Sequence, residues 1–114
     1  MVAYDLPDVP PSLNKQLRMH WAVKKRLYEY WRSLVRSQIM PCPNTDTKMH
    51  AVITMYHSRA YDKDNAYGAV KPLIDALRHW QVIVNDTDEW LYLDVRQVKY
   101  PHKKRYTRIL LERA

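Results

Sequence analysis

Residues 62–88 read DKDNAYGAVKPLIDALRHWQVIVNDTD, and this stretch holds most of the side chains that suggest chemistry. Its conspicuous charged residues are Asp62, Asp64, Lys71, Asp75, Asp86 and Asp88. The chain as a whole is basic, with 19 Lys and Arg against 12 Asp and Glu and a formal net charge of +7. A concentration of acids in a basic chain therefore needs a physical explanation.

The middle of this stretch predicts a helix. Val70, Leu73, Ile74 and Leu77 recur at the spacing of one buried helix face. Asp64 or Asn65 is expected to cap its start, because short polar side chains accept hydrogen bonds from the first free N–H groups. Pro72 would cost about 3 kcal/mol well inside a helix. Either the regular helix therefore starts at Lys71, or an irregular first turn containing Gly68 precedes it.

Three further elements are predicted on the N-terminal side. Residues 1–19 are rich in proline, which favours an extended arm or a short edge strand that ends in a loop at residues 12–18. Residues 20–38 predict a helix, with an apolar face made of Val23, Leu27, Tyr30, Trp31 and Leu34. Residues 49–56 alternate apolar and polar side chains, as a half-buried strand does.

The C-terminal side predicts two strands. Residues 82–84 are a short apolar run, and residues 91–95 alternate as a longer strand. The alternation changes parity at residues 97–98, which suggests a bulge. After a turn at residues 101–104, residues 106–112 predict the last strand.

The order β-α-β-α-β-β predicts one compact α+β domain over residues 1–114, a mixed β-sheet with two main helices packed on it. The start of the chain lacks a signal-peptide pattern, and no segment approaches the roughly 20 apolar residues of a membrane span. The only cysteine, Cys42, has no partner for an intrachain disulfide. We therefore expect a cytoplasmic protein that does not associate with membranes.

The acids suggest a site for a divalent cation. Magnesium takes oxygen ligands, and active sites often hold it through one or two carboxylates plus water and substrate phosphate. Asp62 and Asp64 would share a face if they lie in extended chain, and Asp86 could complete the site from a neighbouring strand end. The alternative is a solvated loop whose aspartates only cap a helix, and the spacing alone leaves both interpretations open.

These residues resemble the RusA-type Holliday junction resolvases of phages and prophages. The matching motifs are Asp62-Lys63-Asp64-Asn65, then Lys71 to Leu77 (KPLIDAL), then Asn85-Asp86. The opening PPSLN at residues 10–14 is also similar to that family. Two departures exist, since Asn85 replaces the first acid of the later pair and the spacing from Asn65 to Lys71 is longer by three residues.

The resemblance implies an Mg²⁺-dependent endodeoxyribonuclease, with Mn²⁺ as a second possible metal. The metal ligands would be Asp62, Asp64 and Asp86, and Lys71 would be the essential lysine. The partners would be branched DNA, above all the four-way junction, and a second copy of the chain, because a homodimer supplies two matched cuts. Asp75 would either orient Lys71 or be an ordinary helix-surface acid.

The basic side chains are candidates for tracking the junction arms. They are Lys24, Lys25, Arg26, Arg32 and Arg36 in the first helix, and Lys99, Lys103, Lys104, Arg105 and Arg108 near the C-terminus. A pI near 9.6 predicts attraction to polyanions and salt-dependent binding. The four tryptophans, Trp21, Trp31, Trp80 and Trp90, are expected in the core or a dimer interface.

Two other functions remain open at this stage. One is a DNA-junction-binding protein without cleavage, in which the aspartates are structural. The other is a glycosyltransferase that uses Asp-x-Asp to hold a metal and a nucleotide sugar. A length of 114 residues is short for the nucleotide-binding domain that the second function requires.

Overall fold

The chain folds around one mixed sheet of four strands, which a computed structural model describes for residues 2–39, 43–101 and 104–114. The elements in chain order are β1 (Val2–Leu6), α1 (Leu13–Leu17), α2 (Trp21–Gln38), β2 (Met49–His57), α3 (Lys63–Ala69), α4 (Lys71–His79), β3 (Leu91–Lys99) and β4 (Tyr106–Arg113). The predictions that involve Cys42 and Lys103 lie outside the described residues.

The strand order in the sheet is β1-β4-β2-β3. β2 pairs with β3 in parallel, from Met49 opposite Leu91 onwards, and with β4 in antiparallel fashion. Two parallel neighbours need a long crossover connection, and helices α3 and α4 provide it. The segment that holds the acids is therefore this crossover.

A single hydrophobic core lies between the sheet and the helices. Ile53 of β2 and Ile109 of β4 face each other in register and are fully buried. Trp31 of α2 and Leu73 and Leu77 of α4 pack into the same cluster, because α2 and α4 lie against each other. The predicted α+β class, with a mixed sheet and two main helices, is confirmed.

The predicted loop at residues 12–18 is wrong, because this segment forms the short helix α1. Ser12 caps it, its Oγ accepting a hydrogen bond from the N–H of Lys15 at 3.3 Å. The buried Gln16 side chain donates to the carbonyl of Ala69 at 3.1 Å and to that of Pro11 at 2.7 Å. A tertiary contact with the end of α3 thus stabilises a helix of only five residues.

The crossover helix is divided into two. α4 starts at Lys71, as one of the two alternatives predicted, and Pro72 is its second residue, where no intrahelical N–H bond is lost. The expected cap at Asp64 or Asn65 is wrong, since Asp62 occupies the N-cap position of α3 and the other two residues lie inside the helix.

No bulge occurs in β3. The pairing of β2 with β3 continues without a slip from Met49 opposite Leu91 to His57 opposite Lys99. Gln97 follows Leu91 by six residues, so both side chains point to the same face of β3, the face that packs on the core. A polar side chain therefore occupies a position where the alternation predicted an apolar one. The break in the sequence pattern therefore marks a polar residue and not an extra one.

Two residues of the predicted apolar face of α2 are more exposed than expected, Val23 and Tyr30, whereas Val35 is buried. Among the described residues, no helix is long and apolar enough to cross a membrane.

Candidate functional site

The acidic side chains fall into two groups according to whether they have a partner. Those that accept hydrogen bonds or form ion pairs are Asp5, Asp8, Asp46, Asp75, Asp94 and Glu112. In the described part of the chain, the carboxylates without a partner are Glu29, Asp62, Asp64, Asp86, Asp88 and Glu89. All of these except Glu29 lie between Asp62 and Glu89, so the free carboxylates are concentrated in one stretch.

Asp62 and Asp64 lie at the start of α3, directly after the segment that follows β2. Asp62 holds the N-cap position without a side-chain capping hydrogen bond, and Asp64 is the second residue of the helix. Both side chains are exposed. Their oxygens are therefore available to a hard cation, which is commonly held by one or two carboxylates together with water and phosphate.

The third predicted ligand, Asp86, does not lie with Asp62 and Asp64. Across residues 2–39, 43–101 and 104–114, no group of three or more His, Cys, Asp or Glu side chains is arranged to hold a metal ion. Asp62, Asp64 and Asp86 are thus not gathered into one ligand set. The donor chemistry that fits magnesium is the pair at the start of α3.

Asp86 instead shares a cavity with Lys71. The cavity has a volume of about 360 Å³ and lies between α2, α3, α4 and the start of β3. Its lining includes Tyr28, Tyr67, Lys71, Asp75, Arg78 and Asp86. Lys71 is exposed and has no partner among the described residues. The structure therefore places the predicted lysine and the predicted third aspartate at one cavity.

Asp64 lies close to this cavity along the helix. Tyr67, which lines the cavity, follows Asp64 by three residues and so lies on the same face of α3. Val70 joins the two helices with φ −80° and ψ 0°, in the right-handed helical region. Lys71 is therefore about two turns, or about 10 Å, beyond Asp64 along a nearly continuous helical path.

Asp75 neither orients Lys71 nor lies on an open helix surface. Its carboxylate accepts a hydrogen bond from Nε of Arg32 at 2.9 Å, and Arg78 approaches it at 3.6 Å. The Asp75 side chain is only 16% exposed. Burial, followed by the charge of Asp75, raises the pKa of the neighbouring Tyr28. Asp75 thus joins α2 to α4, and both of the roles expected for it are corrected.

Gln97 holds the chain directly in front of Asp62. Its Oε1 accepts a hydrogen bond from the Tyr61 N–H at 2.7 Å, and its Nε2 donates to the Tyr61 carbonyl at 2.9 Å. The same Oε1 lies 3.0 Å from Nε2 of His57. The Tyr61 hydroxyl also donates to the carbonyl of Pro10 at 2.9 Å. The start of the acidic stretch is therefore anchored to the sheet on one side and to the N-terminal segment on the other.

Some of the predicted DNA-binding side chains are engaged in contacts within the protein, and others are exposed. Arg32 is engaged with Asp75, Arg36 lies 5.2 Å above the ring of Trp80, and Arg105 pairs with Asp8 at 3.3 Å. Lys25 and Lys104 are exposed and Lys24 is half-buried. Of the other basic candidates, Arg26 and Lys99 are exposed and Arg108 pairs with Asp5 at 2.8 Å.

The tryptophans agree in part with their expected places. Trp31 is buried, and Trp80 and Trp90 are half-buried. Trp21 is 72% exposed and lies outside the core of this chain. Sequence reasoning also missed Gln97, whose only signal was the break in alternation that was interpreted as a bulge.

Comparison with protein-family models gave no match, and neither did comparison with curated proteins. The resemblance to RusA-type resolvases therefore rests on the motifs of this chain alone and stays a prediction.

Proposed function

We propose that this protein is a divalent-metal-dependent endonuclease that cuts branched DNA, with the four-way junction as its expected substrate. The observation that carries the proposal is the concentration of unpaired carboxylates beside an unpaired lysine in an otherwise basic chain. Asp62, Asp64, Lys71 and Asp86 form no hydrogen bond or ion pair among the described residues, so their charges do not join elements of the fold. Exposed carboxylates of this kind can supply the oxygen ligands that a hard divalent cation takes.

Asp62 and Asp64 would hold Mg²⁺, or Mn²⁺ in its place, whereas Asp86, which is not gathered with them, would contribute its charge from the cavity of Lys71. A bound cation of this kind supplies an activated water and stabilises charge on the attacking and leaving oxygens of an in-line displacement. Lys71 contributes a compact positive charge where negative charge grows on the phosphate. Gln97 keeps the backbone before Asp62 in place, so that the carboxylates are oriented before substrate arrives.

The test is cleavage of a synthetic four-way junction in the presence of magnesium. We expect Asp64→Asn to abolish cutting while junction binding persists, because the change removes a ligand charge and keeps the shape. Glu29→Gln is the matched control, since Glu29 is the unpaired acid that lies outside the stretch. Equal cutting by the Asp64→Asn variant would contradict the metal-site assignment. Binding without cutting by the unaltered protein would support a non-catalytic junction-binding protein instead.

Lys71→Ala separates a role in the transition state from a role in binding. We expect the cleavage rate to fall by at least about a hundredfold, the scale seen when one preorganised electrostatic group is removed, with little change in junction affinity. Lys48→Ala is the control, because Lys48 is exposed and does not line the cavity of Lys71. A loss of affinity alone would make Lys71 an ordinary phosphate contact.

A homodimer would supply the paired cuts that a two-fold symmetric junction requires. Leu17 and Trp21 are 66% and 72% exposed and lie near each other in sequence, at the junction of α1 and α2. Large exposed apolar side chains of this kind favour an interface between copies. Sedimentation of the wild type and of Trp21→Glu tests this, and a wild type that stays monomeric at all concentrations would exclude the dimer.

A further inference from the structure

A groove of about 890 Å³ lies next to the acidic stretch and is separate from the cavity of Lys71. It lies between α1, the middle of α2, the segment after β1, the segment after β2 and the residues just before β4. The side chains that give it its character are Asp8, Lys15, Tyr30, Arg59, Tyr61 and Arg105. Lys15 and Arg59 were not among the basic residues that the sequence suggested for DNA contact.

The groove has an excess of positive charge. Lys15 and Arg59 are exposed and have no partner among the described residues. Arg105 is paired with Asp8 at 3.3 Å, and the same carboxylate accepts a hydrogen bond from the Tyr30 hydroxyl at 2.9 Å. Among the described lining residues, the one acid is thus occupied within the protein, and two cations remain to attract an anion.

The histidine at the groove does not change this balance at neutral pH. His57 is buried at the end of β2, and burial, followed in effect by the charge of Arg105, lowers its pKa despite the hydrogen bond to Gln97. Burial therefore favours the neutral form of His57. Among the described lining residues, lysine and arginine consequently supply the positive charge of the groove.

An aromatic ring is available beside these cations. Tyr30 is 44% exposed, and its hydroxyl is held by Asp8, which fixes the ring in one place. A basic groove with a fixed exposed aromatic ring is the arrangement that proteins use to hold single-stranded nucleic acid, with cations along the backbone and a base stacked on the ring. A cation site or an apolar ligand would not use this combination.

The groove adjoins the start of the acidic stretch in the chain. Residues 58–61 line it, and Asp62 is the next residue in the chain. Gln97 fixes the backbone of Tyr61 between the two sites. A strand lying in the groove would therefore pass within one residue of the N-cap of α3.

We propose that this groove binds one strand of the DNA next to the phosphate that is cut, with Arg59 and Lys15 on the backbone phosphates and Tyr30 against a base. This assignment rests on the proposed nuclease function for its position relative to the cut, while strand binding itself does not require cleavage.

The test is the affinity for a short fluorescein-labelled oligothymidylate, measured by anisotropy in EDTA so that no cutting occurs. We expect the double variant Lys15→Ala/Arg59→Ala to bind at least about tenfold more weakly, and the slope of log affinity against log salt to shrink by about 1.4, since each single-strand phosphate contact contributes about 0.7. The control is Lys48→Ala/Arg113→Ala, which removes the same charge at the opposite end of β2 and should bind as the wild type does.

Tyr30→Ala and Tyr30→Phe test the base contact. The alanine variant should lose about fivefold or more in affinity because it loses the stacking surface, whereas the phenylalanine variant keeps the ring, loses only the hydrogen bond to Asp8, and should bind more tightly than the alanine variant. Wild-type affinity in Tyr30→Ala would overturn the stacking assignment, and so would a phenylalanine variant that binds no better than the alanine variant. Circular dichroism of each variant checks that the fold is intact.

The two proposals fail in different ways. If the oligonucleotide does not bind, or if the groove and control double variants bind alike, the groove assignment is overturned whether or not junctions are cut. If the groove variants behave as expected but no junction is cut in magnesium, the nuclease proposal fails and the groove remains a strand-binding site.

Discussion

The side-chain amide of Gln97 hydrogen-bonds to both backbone polar groups of Tyr61, at 2.7 Å from the N–H and 2.9 Å to the carbonyl. This is the pairing that a neighbouring strand would make, supplied here by one side chain 36 residues away. Because Asp62 follows Tyr61, the amide of Gln97 sets the direction in which the acidic stretch leaves the sheet.

Gln97→Met tests this anchor, because it keeps the length of the side chain and removes the two hydrogen bonds to Tyr61 together with the one to His57. We expect a loss of about 1–3 kcal/mol in the free energy of unfolding, since two backbone groups lose their partners. The turnover rate on a junction should fall more than the affinity. Urea denaturation and single-turnover cleavage measure the two effects. Val98→Ala, on the opposite face of β3, is the control, and an unchanged turnover rate in Gln97→Met would leave the residue with a structural role only.

Asp75→Asn tests whether Asp75 belongs to the fold or to the site. Its carboxylate is bound by Arg32 and approached by Arg78, and not by Lys71. We expect a loss of about 1–2 kcal/mol in stability, toward the low end for a hydrogen bond between charged groups because Arg32 is partly exposed. Cleavage at a temperature where the variant is folded should be unchanged. Cleavage that falls without a change in the unfolding midpoint would show a direct role in the site.

Gly68→Ala tests the contact between α1 and α3. A Cβ added at Gly68 would lie 2.6 Å from the Cβ and Cδ2 atoms of Leu13, so α1 would have to move. Overpacking of this kind costs about 1–3 kcal/mol, which exceeds the gain of about 1 kcal/mol in helix propensity from glycine to alanine. The cost of Gly68→Ala should be smaller in a Leu13→Gly background, where the side-chain atoms that crowd residue 68 are absent. An equal cost in both backgrounds would locate the conflict elsewhere.

His57→Gln tests the pH dependence of stability. Burial lowers the pKa of His57 below its ordinary value of 6.5, so the unfolded chain binds a proton more readily than the native one. Stability is therefore present in full above about pH 6.5 and declines as the pH falls toward the lowered pKa. Glutamine cannot titrate, so the variant should lose less stability between about pH 7.5 and pH 5.5. Urea midpoints measure this, with His79→Gln as the exposed control, and identical pH profiles for wild type and His57→Gln would contradict it.

Local patterns predicted most of the elements. The apolar spacing in residues 20–38 and the alternation in residues 49–56 and 106–112 correspond to α2, β2 and β4 within one or two residues. The errors occurred where a distant contact overrides the local pattern. α1 depends on Gln16 reaching Ala69, and β3 accepts a polar Gln97 on its inner face because Tyr61 needs a partner.

In the candidate site, too, some features follow from the local sequence and others depend on tertiary contacts. The sequence by itself determined which residues carry charge in the crossover, because spacing and residue type are local properties. Only the tertiary structure decided that Asp75 pairs with Arg32, that Lys71 and Asp86 share a cavity, and that Lys15 and Arg59 line one groove with Tyr61. The physical reason is that these relations depend on how α1, α2 and the crossover pack on the sheet, and residue periodicity contains no information about contacts between residues far apart in the chain.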